Sequence, residues 1–247
     1  PKGHVIEWSQ PALTEVSIAP KEQPKIQLSI SDKKQAYHFK GREFSLSIDK
    51  TTGLISSMVY FGNELLKASP RPDFWRAPTD NDLPIKDYGD KISPWQKAGK
   101  DTSLVSMKLT KESKYQAKIK VEHYINSIGS RYFTTYHIFG NGEVNVDVYF
   151  YAAPHKKQSE IPRLGTLFEL DKQYTNVSWY GRGPHENYSD RHTSAHVGQY
   201  QSNVEDIFVS YVRPQDNGYR TDVCLVVFFN YDGTGICVDT TDASDLL

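Results

Sequence analysis

Period-two alternation of apolar and polar residues, cut by glycine-bearing turns, is the feature that most constrains this chain. Phe44-Ser45-Leu46-Ser47-Ile48 alternates strictly, Asp49-Lys50-Thr51-Thr52-Gly53 turns, and residues 54–60 return. A second hairpin is clearer: Tyr132 to Phe139 runs into Gly140-Asn141-Gly142, whose residues suit the positive-φ positions of a tight turn. Val144, Val146, Val148 and Phe150 then share one face, with Asn145, Asp147 and Tyr149 on the other. The pattern predicts that Phe44, Leu46, Ile48 and these four residues point into a core, with Ser45, Ser47, Asn145 and Asp147 outward. Leu225 to Phe229 is a continuous apolar run, as a central strand would be. No stretch offers a capped helical face, and strands do not alternate with helices, so a (β/α) barrel is excluded here. The expectation is an all-β fold of large antiparallel sheets packed face to face.

Two segments resist strand assignment. Residues 69–99 are dense in proline and aspartate, and a loop that long inside a compact domain is usually functional. Residues 181–191, Gly-Arg-Gly-Pro-His-Glu-Asn-Tyr-Ser-Asp-Arg, are dense in turn formers and charge.

Composition excludes several classes. At 247 residues the chain can bury a sizeable core, and with 38% hydrophobic and 24% charged residues it reads as globular protein. A formal net charge of -1 with no basic block leaves no footprint for nucleic acid. No apolar run approaches the ~20 residues of a helical membrane span. Cys224 and Cys237 could pair but make no disulfide framework. The first residues, Pro1-Lys2-Gly3-His4, read as a cut inside a longer polypeptide, which leaves localisation open.

The irregular segments carry a resemblance. Phe74-Trp75-Arg76-Ala77-Pro78-Thr79-Asp80-Asn81-Asp82 resembles the F-x-R-A-P-x-D-N-D segment near the start of the last domain of lac-type β-galactosidases, family 2 glycoside hydrolases. Trp95-Gln96-Lys97-Ala98-Gly99 is similar to that family's W-x-K-A-G. Residues 179–191, from Trp179 through Asn187, Tyr188, Asp190 and Arg191, resemble its W-x-G-x-G-P-x-E-N-Y-x-D-R. Gly3-His4-Val5-Ile6-Glu7-Trp8 looks like the closing strand of the immunoglobulin-like domain before it.

The resemblance implies a galactose-mutarotase-like supersandwich, truncated at its C-terminus. Residues 1–22 would be the closing strand of the preceding domain plus a linker, and 23–247 the incomplete C-terminal sandwich. It also implies that the catalytic glutamates lie in a (β/α)8 barrel outside this chain, so no residue here is assigned to catalysis. Retaining glycosidases need two carboxylates about 5 Å apart, and nothing in the sequence nominates such a pair. No cofactor is expected in this chain, whereas the parent would use Mg2+ and a monovalent cation in its barrel. The implied partners are the barrel and immunoglobulin-like domains of the same polypeptide, β-galactoside sugars and a second copy of the enzyme. The implied compartment is bacterial cytoplasm or periplasm.

Each cluster has a structural reading beside its functional one. Asp80, Asn81 and Asp82 lack EF-hand spacing, and a loop tied by Asp to backbone N–H groups and Arg76 is favoured over a metal site. His192 and His196 stand at i, i+4, but without helical context a zinc site is disfavoured. His185 and Glu186 could serve as the acid and base of an aldose epimerase, as that fold type does. A buried network in which Arg191 pairs with Glu186 or Asp190 is the favoured reading. Trp75, Trp95, His185 and Glu186 are the candidates for sugar contact, and the two indoles are expected to be exposed. An autonomous carbohydrate-binding module is the remaining alternative.

Overall fold

The computed structural model describes residues 8–11, 25–85, 87–153 and 159–240. The proposed strand Gly3–Glu7 and the proposed linker 12–22 lie outside the described residues. The chain forms two compact units, one of Gln23–Asp171 and one of Pro1–Glu22 with Lys172–Leu247.

The 23–171 unit is an antiparallel sandwich. Strands β1 (Ser29–Asp32), β2 (Ala36–Lys40), β3 (Phe44–Asp49), β4 (Ile55–Tyr60) and β5 (Asn63–Glu64) form one sheet in chain order. Strands β7 (Thr102–Lys111), β8 (Gln116–Ile125), β9 (Ser130–Phe139) and β10 (Val144–Tyr151) form the other. A two-stranded sheet pairs β6 (Leu66–Asp73) with β11 (Gly165–Leu170). Alternation does the packing: Phe39, Phe44, Leu46 and Ile48 from the first sheet meet Ile119, Val121, Tyr136 and Ile138 from the second in one buried cluster. Ser45 and Ser47 are half-buried on the opposite face.

Turn chemistry sets the registers. In the β3–β4 hairpin the Asp49 carboxylate accepts hydrogen bonds from the N–H groups of Thr51 (2.9 Å) and Thr52 (2.7 Å). Gly53 follows at φ 71°, where an added Cβ would lie 2.6 Å from Val121 Cγ1. Between β4 and β5 the loop has two residues, Phe61 and Gly62, with φ of 47° and 80°. Positive φ at both centres is the type I′ geometry that favours Asn-Gly. A phenylalanine there costs about 1–2 kcal/mol of backbone strain.

Two expectations are corrected. The 69–99 stretch is not all loop: β6 enters it, and α1 (Tyr88–Ala98) closes it. The helix was hidden because its buried face is only Ile92, Trp95 and Ala98, and Pro94 sits inside it. Proline leaves the carbonyl four residues back, that of Asp90, without its helical donor. The Ser93 hydroxyl donates to that carbonyl at 3.0 Å.

The second correction concerns β10. Asn145 and Asp147 face outward as expected, and Val144 and Phe150 pack on buried clusters. Val146 and Val148, on the same face, are 47% and 42% exposed. The alternation is real, but β10 is the outermost strand of its sheet, and the two middle residues of that face stay open to solvent.

The second unit contains a four-stranded antiparallel sheet, ordered β13 (His196–Asn203), β12 (Asn176–Gly183), β14 (Leu225–Phe229), β15 (Gly235–Asp239). β14 is central, as its apolar run predicts. Cys224 and Cys237 are free thiols. Among the described residues no helix is long and apolar enough to cross a membrane.

The contrast between rim and core is testable by urea denaturation. Ile119→Ala, at a fully buried site, should cost about 2–5 kcal/mol. Val146→Ala should stay within about 0.5 kcal/mol of the native chain, as exposed substitutions do.

Candidate functional site

Each irregular segment is organised around one buried carboxylate. In the first unit, Phe74 is fully buried and anchors the chain after β6, packing near Trp95, Tyr132 and Phe150. Two residues on, Arg76 reaches Asp82 as a fork: Nη1 donates to Oδ2 at 2.5 Å and Nη2 to Oδ1 at 3.1 Å. Asp82 also accepts from the backbone N–H (2.7 Å) and hydroxyl (3.1 Å) of Thr79. Its carboxyl is pulled down to about 2, chiefly by the Arg76 hydrogen bonds against the cost of burial. The expected Arg76 clamp is therefore present and works through Asp82, while Asp80 and Asn81 are exposed.

The two indoles proposed as exposed are not. Trp95 is 2% exposed, and its Nε1 donates to Ser159 Oγ at 3.0 Å, which in turn donates to Lys91 O at 2.7 Å. Trp75 is half-buried against the same cluster. The reason is local: Trp95 lies on the buried face of α1, where the sequence pattern predicts loop.

In the second unit, β12 brings Gly181-Arg182-Gly183 to its end, and the Gly183–Pro184 peptide is cis. Glu186 and Asn187 then turn inward, Asn187 with no exposed surface. Asn187 Oδ1 accepts from the N–H (2.9 Å) and hydroxyl (2.6 Å) of Thr221, and its Nδ2 donates to His185 O. The Glu186 carboxylate accepts from Arg191 Nη2 (2.9 Å), the Tyr211 hydroxyl and the Gly218 backbone N–H. Arg191 also receives Tyr188 beneath its guanidinium, 5.3 Å to the ring centroid. Tyr188 stacks on Tyr219 and donates to Asp216 at 3.1 Å. Of the two acids offered for Arg191, Glu186 is the partner, and Asp190 is exposed.

The electrostatics follow these contacts. The hydrogen bond to Glu186 raises the Tyr211 phenol above its ordinary range, and the one to Tyr211 raises Arg191. Burial, with Asp216 beside it, raises Tyr188. Burial lowers Arg220, which lies over the Trp179 ring and donates to Gly218 O and Pro184 O.

The pieces that sequence reading missed are Tyr211, Asp216, Gly218 and Thr221. They lie 25–34 residues from their partners in the 186–188 turn. The available signal was compositional: residues 213–222, like 181–191, are rich in Pro, Asp, Asn, Gly and Arg. His196 stacks on Trp8 with centroids 3.7 Å apart. Exposed His185 meets the Ser194 hydroxyl at 2.9 Å. Among the described residues no three His, Cys, Asp or Glu are grouped to hold a metal.

The family model described as beta galactosidase small chain matches residues 40–245. The chain belongs to this family. Among relatives of the β-galactosidase small-chain region, the β-galactosidase of Priestia megaterium is 34% identical over 212 residues, covering 85% of this chain and 20% of that protein. That of Psychromonas ingrahamii is 37% identical over 197 residues, covering 74% and 18%. That of Streptococcus thermophilus is 28% identical over 240 residues, covering 94% and 22%. The chain thus spans about a fifth of the length of these relatives.

Two measurements check the carboxylate anchors. A depressed carboxyl contributes stability above its free value, near 3.8, that is lost as pH falls through its folded value, about 2. Asp82→Asn should therefore be less stable than the native chain by about 2 kcal/mol at pH 7. The difference between the two denaturation curves should vanish between about pH 4 and pH 2. Glu186→Ala should cost about 1–3 kcal/mol by taking the acceptor from the Tyr211 hydroxyl and the Gly218 N–H, while Asp190→Ala stays within about 0.5 kcal/mol.

Proposed function

We propose that the chain is a non-catalytic C-terminal sandwich region of a β-galactosidase of glycoside hydrolase family 2. The parent hydrolyses terminal β-D-galactosides with retention, through a carboxylate pair on a barrel carried elsewhere in the polypeptide. Mg2+ and a monovalent cation belong to that barrel. This region supports the barrel, forms part of the contacts that assemble the enzyme, and touches sugar through its loops. The observation that carries the reading is the family match across residues 40–245, joined to relatives named β-galactosidase of which the matched region is about a fifth.

The geometry supports a structural role for the acidic motif. A general base needs a lone pair turned toward substrate. Glu186 has a side chain only 3% exposed and three donors already upon it, from Arg191, Tyr211 and Gly218. Asp82 is likewise occupied by Arg76 and Thr79. An epimerase reading would require Glu186 to give up these partners.

The purified chain should release no o-nitrophenol from o-nitrophenyl β-D-galactoside above the buffer rate, and should not speed the mutarotation of α-D-galactose in a polarimeter. Hydrolysis that copurifies with the chain through several columns would overturn the first half. Catalysed mutarotation lost in Glu186→Gln would restore the epimerase.

A further inference from the structure

An aromatic side chain in a left-handed turn is a cost that folding alone does not explain. Phe61 sits at φ 47° where Asn would be at ease, and the residue is 61% exposed. Its ring meets Tyr60 edge-on, with centroids 4.8 Å apart. Strain kept at an exposed residue points to use by something outside the fold. The surroundings say what kind of thing. Phe61 stands over a cleft of about 400 Å³ lined also by Lys40, Arg42, Glu43, Ser45 and Val59. Arg42 and Glu43 lie 3.6 Å apart with side chains 78% and 46% exposed, so each keeps hydrogen-bonding capacity toward solvent. The Phe61 N–H donates to Glu43 O at 2.9 Å, which fixes the ring's backbone against the wall of the cleft. A ring face beside donors and acceptors of both signs, in a space of ligand size, suits a pyranose. The face of a β-galactoside bearing the C3, C4 and C5 hydrogens is apolar and would lie on the ring, with its hydroxyls toward Lys40, Arg42 and Glu43. The larger cleft in this unit, about 610 Å³ around Arg71, Lys100 and Glu169, has no aromatic ring in its lining.

We propose that the Phe61 cleft is a β-galactoside-binding subsite, with Phe61 as its stacking platform. The inference rests on the reading of the chain as part of a galactosidase, and moves the sugar contact from Trp75 and Trp95 to the β4–β5 turn. Its test is a titration of the 15N-labelled chain with lactose and with methyl β-D-galactopyranoside, followed by amide shifts. Saturable shifts should map to Lys40, Ser45, Phe61 and Gly62. Phe61→Asn should abolish them while raising the melting temperature, because it relieves the turn, and Phe61→Trp should keep them. Absence of saturable shifts in the native chain, or shifts confined to other residues, overturns the subsite. A Phe61→Asn chain that melts lower than native, or that still binds, overturns the assignment of Phe61. Turnover plays no part in these readouts, so a failure of the hydrolysis prediction would be seen separately.

Discussion

Period-two burial between two sheets is the constraint on which the first unit depends. Leu46, Ile48, Ile119 and Ile138 occupy one interior because each strand commits alternate residues to it. A slip of one residue in any pairing would expose that strand's whole apolar set, so the register is held by the loss such a slip would incur. The turns at Asp49–Gly53 and Asn141-Gly142 agree with that register rather than impose it. Local and long-range preferences coincide there, which is what makes a strand pairing unique.

Where alternation stops, charge takes over. The two segments that cannot be strands are each tied to a carboxylate withdrawn from water, Asp82 in one unit and Glu186 in the other. A buried carboxylate without donors is costly enough to unfold its surroundings, so each must gather N–H and O–H groups from neighbouring turns. Asp82 takes its donors from within six residues, whereas Glu186 takes two of three from more than twenty residues away. The first is a local clasp. The second joins the 186–191 turn to the 211–222 segment and so helps define the end of the β12 sheet.

The same difference explains what could be read in the sequence. The β3–β4 and β9–β10 hairpins were legible because pattern and turn lie within one window. The Arg76–Asp82 clasp was legible for the same reason, and the Glu186–Arg191 pair nearly so. That β10 is an edge was not legible, because edge status is a property of the whole sheet order. Helix α1 was masked by Pro94 and by an apolar face of only three residues. Trp95 was misplaced with it, since an indole in apparent loop is a buried one once the loop is a helix. Tyr211 and Gly218 were invisible for want of any local signal linking them to Glu186.

The open rim of β10 carries a liability of its own. Among the described residues its outer backbone edge pairs with no strand, and Val146, Val148, Tyr149 and Tyr151 stand in solvent beside it. Such a row is a template for another chain's strand. Asp147 is the one charged side chain along β10, and it faces His137 across the pair at 3.1 Å. A single carboxylate is thin protection, and salt screens it. Among the described residues, one screened charge is all that sets this strand apart from the bare apolar edge that natural sheets avoid leaving open.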